Sequence, residues 1–282
     1  MSLQKRTEKN DEDAQEKYKQ EQIQLSDRMS RIKHKILVLS GKGGVGKSTT
    51  SINLAFSLFQ AGKSVGLLDV DIHGPSIPKM LNLEDKKVMA AESAMLPVNL
   101  FENFKVMSIG FLLRSRDDAV IVRGPLKYRM IRQFLKDVEW GAIDYLIIDS
   151  PPGTGDEPLT VAQSIENADG AVVVTTPQQV AIRDVRKSVT FCRSLNLPII
   201  GVLENMSGFI CPNCGIRVNI FTSGGGKQMA EEMNIPFLGE IPIDPQIATS
   251  GDIGIPYTQA FPKSPTAKAF QEVIAPILRL SE

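Results

Sequence analysis

Cysteine is nearly missing from this chain: three residues in 282, and none before Cys192. So small and odd a number does not build a disulfide framework. Neither sign of charge is in excess, since 32 Lys and Arg balance 32 Asp and Glu. That balance argues against a protein whose main task is to coat nucleic acid. No apolar run approaches the roughly 18 residues of a membrane-spanning helix, and no basic-then-apolar leader opens the sequence. The expectation is a cytoplasmic protein with neither a membrane nor a nucleic acid as partner.

Two of the three cysteines stand together, in "NMSGFICPNCG", where Cys211 and Cys214 are separated by two residues. Structural zinc and four-iron clusters each usually take four protein ligands, so this is half of a metal site. Cys192 offers no third ligand, because it lies between Phe191 and Leu195 in an amphipathic run and reads as a core residue.

The first 34 residues differ from the rest. "QKRTEKNDEDAQEKYKQEQ" is almost entirely polar and cannot bury enough apolar surface to offset its ordering entropy. It reads as a mobile arm, with a short helix over 23–32 in which Ile23, Leu25, Met29 and Ile32 share a face. From residue 35 to 282 short apolar runs alternate with amphipathic stretches. The runs "KILVLS" (35–40), "SVGLLDV" (64–70), "KVMSI" (105–109), "DYLIIDS" (144–150), "GAVVVTT" (170–176), "PIIGVLE" (198–204) and "PFLGEI" (236–241) lack polar alternation, as strands buried on both faces do. Helices are expected at 47–61, 125–138, 158–167, 180–195, 223–233 and 266–280. This predicts one α/β domain, a doubly wound, mostly parallel sheet flanked by helices. Its chemistry belongs in the loops at the carboxyl ends of the strands.

"GKGGVGKST" (41–49) follows the first strand and opens the first helix, the context that the phosphate-binding motif GxxxxGK[ST] requires. Gly41, Gly43, Gly44 and Gly46 let the backbone wrap a phosphate chain at the positive end of a helix dipole, with Lys42 and Val45 between them. In this motif Lys47 reaches the β and γ phosphates, Ser48 ligates Mg²⁺ and Thr49 touches the α phosphate of ATP. Carboxylates end two other strands: Asp69 and Asp71 in "LLDVDIHGPS", and Asp149 in "LIIDSPPGTGD". Metal-assisted phosphoryl transfer needs such hard oxygen ligands and a group that orients water. Gly153 to Gly155 form a turn suited to switching, and His73 reads as a surface residue beside it.

Lys42 exceeds what a phosphate loop needs. With it the sequence resembles the deviant Walker A superfamily, KGGxGK[ST], which includes MinD, ParA, the arsenite-pump ATPase and the nitrogenase iron protein. The resemblance implies a homodimer in which Lys42 reaches the nucleotide of the other subunit and contributes to catalysis as an arginine finger does. By superfamily position Asp71 orients the attacking water, Asp149 takes the Walker B role and Asn205 contacts adenine. "GKGGVGKST", "DVDIHGPS", "DSPPGTGD" and "ENMSGFICPNCG", in this order, look more narrowly like the Mrp family of iron-sulfur cluster carrier ATPases. That resemblance implies a slow, Mg-dependent ATP hydrolase whose Cys211 and Cys214 join those of a second chain around a [4Fe-4S] cluster, delivered to apoproteins. The N-terminal cysteine cluster and the additional small domain of some relatives are not expected here, since no cysteine precedes Cys192 and the arm is short.

Other readings of the cysteine pair stay open, because spacing alone does not separate a bridging zinc or a thiol-disulfide motif from a cluster. The alternative for the whole chain is a MinD- or ParA-like positioning or partition ATPase with a structural zinc. Against it, "TAKAFQEVIAPILRLSE" carries only Lys268 and Arg279 as cations and is broken by Pro276, so it reads as a docked helix and not a membrane anchor. Arg183, Arg186, Lys187 and Arg193 read as a solvated face. "TSGGGKQMAEEM" (222–233) starts a helix with three glycines, for which the sequence alone gives no reason.

Overall fold

The computed structural model describes residues 16, 19–91, 94–113, 124–211 and 213–281. Helix α1 (19–30) leads into strand β1 (Ile32–Ser40), helix α2 (Lys47–Gln60), β2 (Val65–Asp69) and α3 (Ile77–Met80). A two-stranded hairpin of β3 (Met89–Ala91) and β4 (Ala94–Leu96) precedes β5 (Val98–Phe101) and β6 (Phe104–Ser108). The chain continues through α4 (Gly124–Asp137), β7 (Ile143–Asp149), α5 (Asp156–Ser164), β8 (Gly170–Thr175), α6 (Gln179–Ser194) and β9 (Ile199–Ile210). It closes with β10 (Arg217–Val218), α7 (Gly225–Glu232), β11 (Phe237–Ile243), α8 (Pro245–Ile253), α9 (Tyr257–Ala260) and α10 (Pro265–Leu278). Among the described residues no helix is long and apolar enough to cross a membrane.

The main sheet runs β10-β9-β8-β1-β7-β2-β6-β5, with β11 on the other side of β9. Pairings among β1, β2, β6, β7, β8, β9 and β11 are parallel, and only β5 and β10 run antiparallel. Side chains alternate across a strand, and β1 shows the consequence. Leu37 and Leu39 join a core with α1, α4, α5 and α6, while Ile36 and Val38 join a second core with α2 and α10. Burial on both faces is why the strand sequences lack polar alternation. The C-terminal segment is such a docked helix, with Phe270, Val273, Ile274 and Ile277 buried.

Two sequence expectations are revised. The 1–34 arm does not end at residue 34: α1 packs Leu25 and Met29 into the core, and β1 begins at Ile32, while Ile23 is exposed. Three apolar residues suffice to dock this stretch, although charges outnumber them. The remainder of the arm (1–15, 17 and 18) lies outside the described residues. The strand expected at 198–204 continues to Ile210, so Asn205 and Cys211 do not share one open loop. Beyond Glu204 the ladder is sustained by β11, whose Ile243 pairs Phe209, and by β10, whose Arg217 pairs Ile210.

Candidate functional site

Because β1, β2, β7, β8, β9 and β11 are parallel, the loops that leave their carboxyl ends gather on one edge of the sheet. The phosphate loop leaves β1 there, Asp71 follows β2, Asp149 ends β7, and the cysteine hairpin leaves β9. All four motifs found in the sequence therefore meet at the edge where ligands bind in open α/β sheets.

The phosphate loop is shaped by what its glycines abut. A Cβ on Gly41 would lie 2.4 Å from the Asp184 carbonyl carbon, and one on Gly46 would lie 2.1 Å from Asn205 Nδ2. Gly46 is also left-handed, with φ of 83°, a conformation that costs glycine least. Gly43 and Gly44 face open space, leaving the backbone accessible to a phosphate chain.

Asp149 organises the cations and hydroxyls behind the loop. Its Oδ1 lies 2.7 Å from Lys47 Nζ and accepts from Ser51 Oγ at 2.8 Å, while its Oδ2 accepts from Ser48 Oγ at 2.6 Å. Asp149 is fully buried and Lys47 nearly so. Ser51 was not singled out in the sequence, although its position four residues after Lys47 on α2 puts it on the same face. Hard oxygens of Ser48 and Asp149 side by side are a donor set that fits Mg²⁺.

Asp69 and Asp149 are direct neighbours across β2 and β7. Burial and the charge of Asp149 push the Asp69 carboxyl up to about 7, against the pull of hydrogen bonds from the Asp71 amide and Ser108. Ser108 Oγ donates to it at 2.9 Å and the Asp71 amide at 3.1 Å. Asp69 thus supports the loop carrying Asp71. Asp71 Oδ1 in turn accepts the amides of His73 at 3.2 Å and Gly74 at 3.3 Å, and the side chain is only partly buried.

His73 is a surface residue with specific neighbours. Its Nε2 lies 3.1 Å from Glu157 Oε1, and Lys127 Nζ lies 2.7 Å from that same oxygen. Burial raises the Glu157 carboxyl, but hydrogen bonds from Lys127 and His73 outweigh it and leave the group below its ordinary value. Glu157 occupies the first turn of α5, immediately after the turn at Gly153 to Gly155. The Gly153 amide donates to Ser40 O at 2.8 Å, tying that turn to the phosphate loop.

Asn205 is buried, and its Nδ2 donates to Val45 O in the phosphate loop at 2.9 Å. It borders a cavity of about 430 Å³ lined also by Thr49, Met206, Pro242, Ile243 and Asp244. This joins Asn205 to "IPIDP" (241–245), the last residues of β11 and the two that follow them. The cavity is apolar with few polar atoms, as small-molecule sites are.

The cysteines sit at the tip of the β9–β10 hairpin. The Cys211 amide donates to Ile216 O at 3.0 Å, and the Gly215 amide donates to Cys211 O at 2.8 Å. The amides of Cys214 and Asn213, together with the Cys214 thiol, pull the Cys211 thiol below its ordinary value, which favours the thiolate that a metal ligand must be. Cys214 is exposed. Cys192 is fully buried with its thiol pushed up to about 12, the core cysteine expected. Among the described residues no group of three or more His, Cys, Asp or Glu is placed to hold a metal ion, so the chain brings a pair of thiols and not a full set.

A glycine loop between a parallel strand and a helix, with Lys47 and Ser48 on a strand-end carboxylate, defines a P-loop NTPase. The chain belongs to the NUBPL iron-transfer P-loop NTPase family, whose model matches residues 31–278. It is 52% identical over 252 residues to a cytosolic Fe-S cluster assembly factor NUBP2 homolog of Trichoplax adhaerens, covering 88% of this chain and 95% of that one. It is 53% identical over 237 residues to an iron-sulfur cluster carrier protein of Methanocaldococcus jannaschii, covering 84% and 82%. Among solved structures, a nucleotide-binding protein of Archaeoglobus fulgidus in complex with ADP matches with a TM-score of 0.75 and 41% identity, covering 87% and 94%. MinD of Pyrococcus horikoshii, complexed with Mg-ADP, is similar in fold alone, with a TM-score of 0.64 and 22% identity over 88% and 97% of the two chains.

Proposed function

We propose that this protein is an ATP-dependent carrier of iron-sulfur clusters, which binds a [4Fe-4S] cargo between two copies of the chain and passes it to apoproteins. The observation that carries the reading is the placement of Cys211 and Cys214. β8 ends opposite Glu204 at Thr175, yet β9 continues six residues further, to Ile210, and holds the pair beyond the edge that carries the phosphate loop. Two thiols at an exposed tip complete four ligands when a twofold axis brings a second tip beside them. The names of the relatives from Trichoplax adhaerens and Methanocaldococcus jannaschii agree with that cargo.

ATP supplies the switch. Its β and γ phosphates replace Asp149 as the partner of Lys47, and Ser48 and Asp149 would hold Mg²⁺, which would withdraw charge from the phosphoryl oxygens. Asp71, held to its own loop by two amides, orients the attacking water. Lys42, whose ammonium has no carboxylate within 4 Å among the described residues, reaches the nucleotide of the second copy. Asn205 and the cavity beside it take adenine.

The test is the iron, acid-labile sulfide and zinc content of anaerobically purified protein and of Cys211→Ala. About two irons and two sulfides per chain mean one four-iron cluster per pair of chains. Cys211→Ala loses the iron while keeping ATP binding. About half a zinc per chain without sulfide, or an iron load unchanged by Cys211→Ala, removes the carrier reading.

A further inference from the structure

Between Asn205 and Cys211 the chain does not run as a plain strand. Met206 has φ of 57° and Gly208 φ of 71°, so two left-handed residues flank Ser207 inside β9. Methionine is rarely left-handed, and such a conformation persists where its surroundings over-determine it. Those surroundings form a chain of polar contacts. The fully buried Glu204 accepts the amides of Gly224 at 2.9 Å and of Gly226, at the start of α7. It also accepts Ser207 Oγ at 2.7 Å. Ser207 receives Arg217 in turn: Nη2 lies 3.2 Å from Ser207 O and 3.3 Å from its Oγ. Arg217 ion-pairs with Glu240 on β11, and Gly208 leaves room for the guanidinium, since a Cβ there would lie 2.5 Å from Arg217 Nε.

The two ends of this chain are the two functional sites. At one end Asn205 Nδ2 holds Val45 O of the phosphate loop, and Met206 borders the cavity beside it. At the other, Arg217 follows Ile216, whose carbonyl receives the Cys211 amide. A purine edge offered to Asn205 competes with Val45 for the same amide. The contact that ligand binding perturbs is therefore one residue from the doubly kinked segment and from the carboxylate that anchors it.

We infer that Arg217 is a positioning residue that couples the nucleotide pocket to the cysteine hairpin, through Ser207 and Glu204. The inference rests on the nucleotide and cluster roles proposed above. Coupling needs an element that the ligand biases, and the segment 205–208 is that element: its kinks are fixed only while Arg217 and Glu204 grip Ser207. Arg217 does not line the cavity beside Asn205, and a side chain about half exposed is removable without emptying the core.

The experiment is amide hydrogen exchange of the full chain with and without Mg-AMPPNP, comparing wild type with Arg217→Ala. In wild type the nucleotide slows exchange both in the phosphate loop (41–49) and in the hairpin (206–218). In Arg217→Ala the phosphate loop is still protected and hairpin protection is lost. Reaction of the Cys211 and Cys214 thiols with a disulfide reagent gives the second readout, slowed several-fold by nucleotide in wild type and not in the variant. Should Arg217→Ala fail to fold, Arg217→Lys answers the same question. It keeps the charge toward Glu240, but its ammonium falls short of the place of Arg217 Nη2, the one nitrogen that reaches Ser207 O, Ser207 Oγ and Glu240, and it retains only part of the hairpin protection. Equal hairpin protection in wild type and variant overturns the inference, as does a wild type protected in the phosphate loop alone. No protection in either segment counts against the nucleotide site itself. Coupling that survives in a protein loading no iron overturns the cargo and leaves the relay standing.

Discussion

Lys47 Nζ lies 2.7 Å from Asp149 Oδ1 in a place where both side chains are buried. The pair keeps the phosphate-loop lysine neutralised, and it must separate for Lys47 to reach a phosphate. Removing one member of a buried pair strands the other, so Asp149→Asn is expected to lower stability by about 3 kcal/mol in urea unfolding. It also takes away the second oxygen beside Ser48, so ATP turnover falls on the order of 10²-fold. Stability and turnover both within error of wild type would show that Asp149 neither balances Lys47 nor serves the metal.

Asp69 makes stability depend on pH in the direction opposite to most carboxylates. Its folded-state value of about 7 stands above the ordinary 3.8. Between those limits the folded protein therefore binds a proton that the unfolded chain has released, and stability falls as pH rises through the window. Above pH 7 the loss is complete. Asp69→Asn keeps an oxygen to accept from the Asp71 amide, turns its amide nitrogen to the Ser108 hydroxyl, which can accept, and removes the charge beside Asp149. The variant is expected to gain on wild type from pH 4 to 7 and to keep a constant advantage above that. Thermal unfolding at pH 5 and pH 8 decides it, and parallel curves would count against a protonatable Asp69.

The sequence disclosed most of the architecture because β1, β2, β6, β7 and β8 are buried on both faces, and their unbroken Val, Ile and Leu runs match the observed strands to within a few residues at either end. The phosphate loop stands out because its motif fixes residue type and spacing, whereas Asp71 and Asp149 are singled out as carboxylates at strand ends, their roles resting on the superfamily resemblance alone. Elements held by tertiary contact were less legible. Helix α1 is expected over 23–32, but within a mobile arm, and that it docks shows only in the burial of Leu25 and Met29. The far half of β9 looks like a loop until β10 and β11 are seen to flank it. Glu204, which lies in the same apolar run as the strand, gave no sign that its carboxylate would be buried and shared among three donors.

Lys42 separates this loop from an ordinary one, and the role proposed for it depends on a second chain. Lys42→Ala is expected to leave ATP affinity within about twofold while lowering turnover on the order of 10²-fold. Mixing Lys42→Ala with Asp149→Asn is the sharper form. If Lys42 acts in trans, heterodimers contain one intact site and recover part of the activity that neither variant has alone. Activity in the mixture equal to the sum of the separate variants would confine Lys42 to its own subunit.

Each of the three glycines that open α7 has its own reason, and Glu204 supplies the last. Gly224 is left-handed, with φ of 77°. A Cβ on Gly225 would come within 2.8 Å of Pro177 O, and one on Gly226 within 2.9 Å of Glu204 Oε2. The helix start is pressed against a buried carboxylate, and its amides are the groups that compensate that charge. Two effects oppose each other in Gly226→Ala. Alanine favours the helix by roughly 0.5–1 kcal/mol, whereas forcing a methyl against Glu204 and Thr175 costs about 1–3 kcal/mol. The neighbours are themselves fully buried or nearly so, which leaves little room to yield, and the clash wins. A fall in Tm of about 2–8 °C is expected, together with weaker ATP binding, since Glu204 precedes Asn205. A variant as stable as wild type would mean that the Glu204 clasp gives way without cost, and Glu204 could not then hold Asn205 in place.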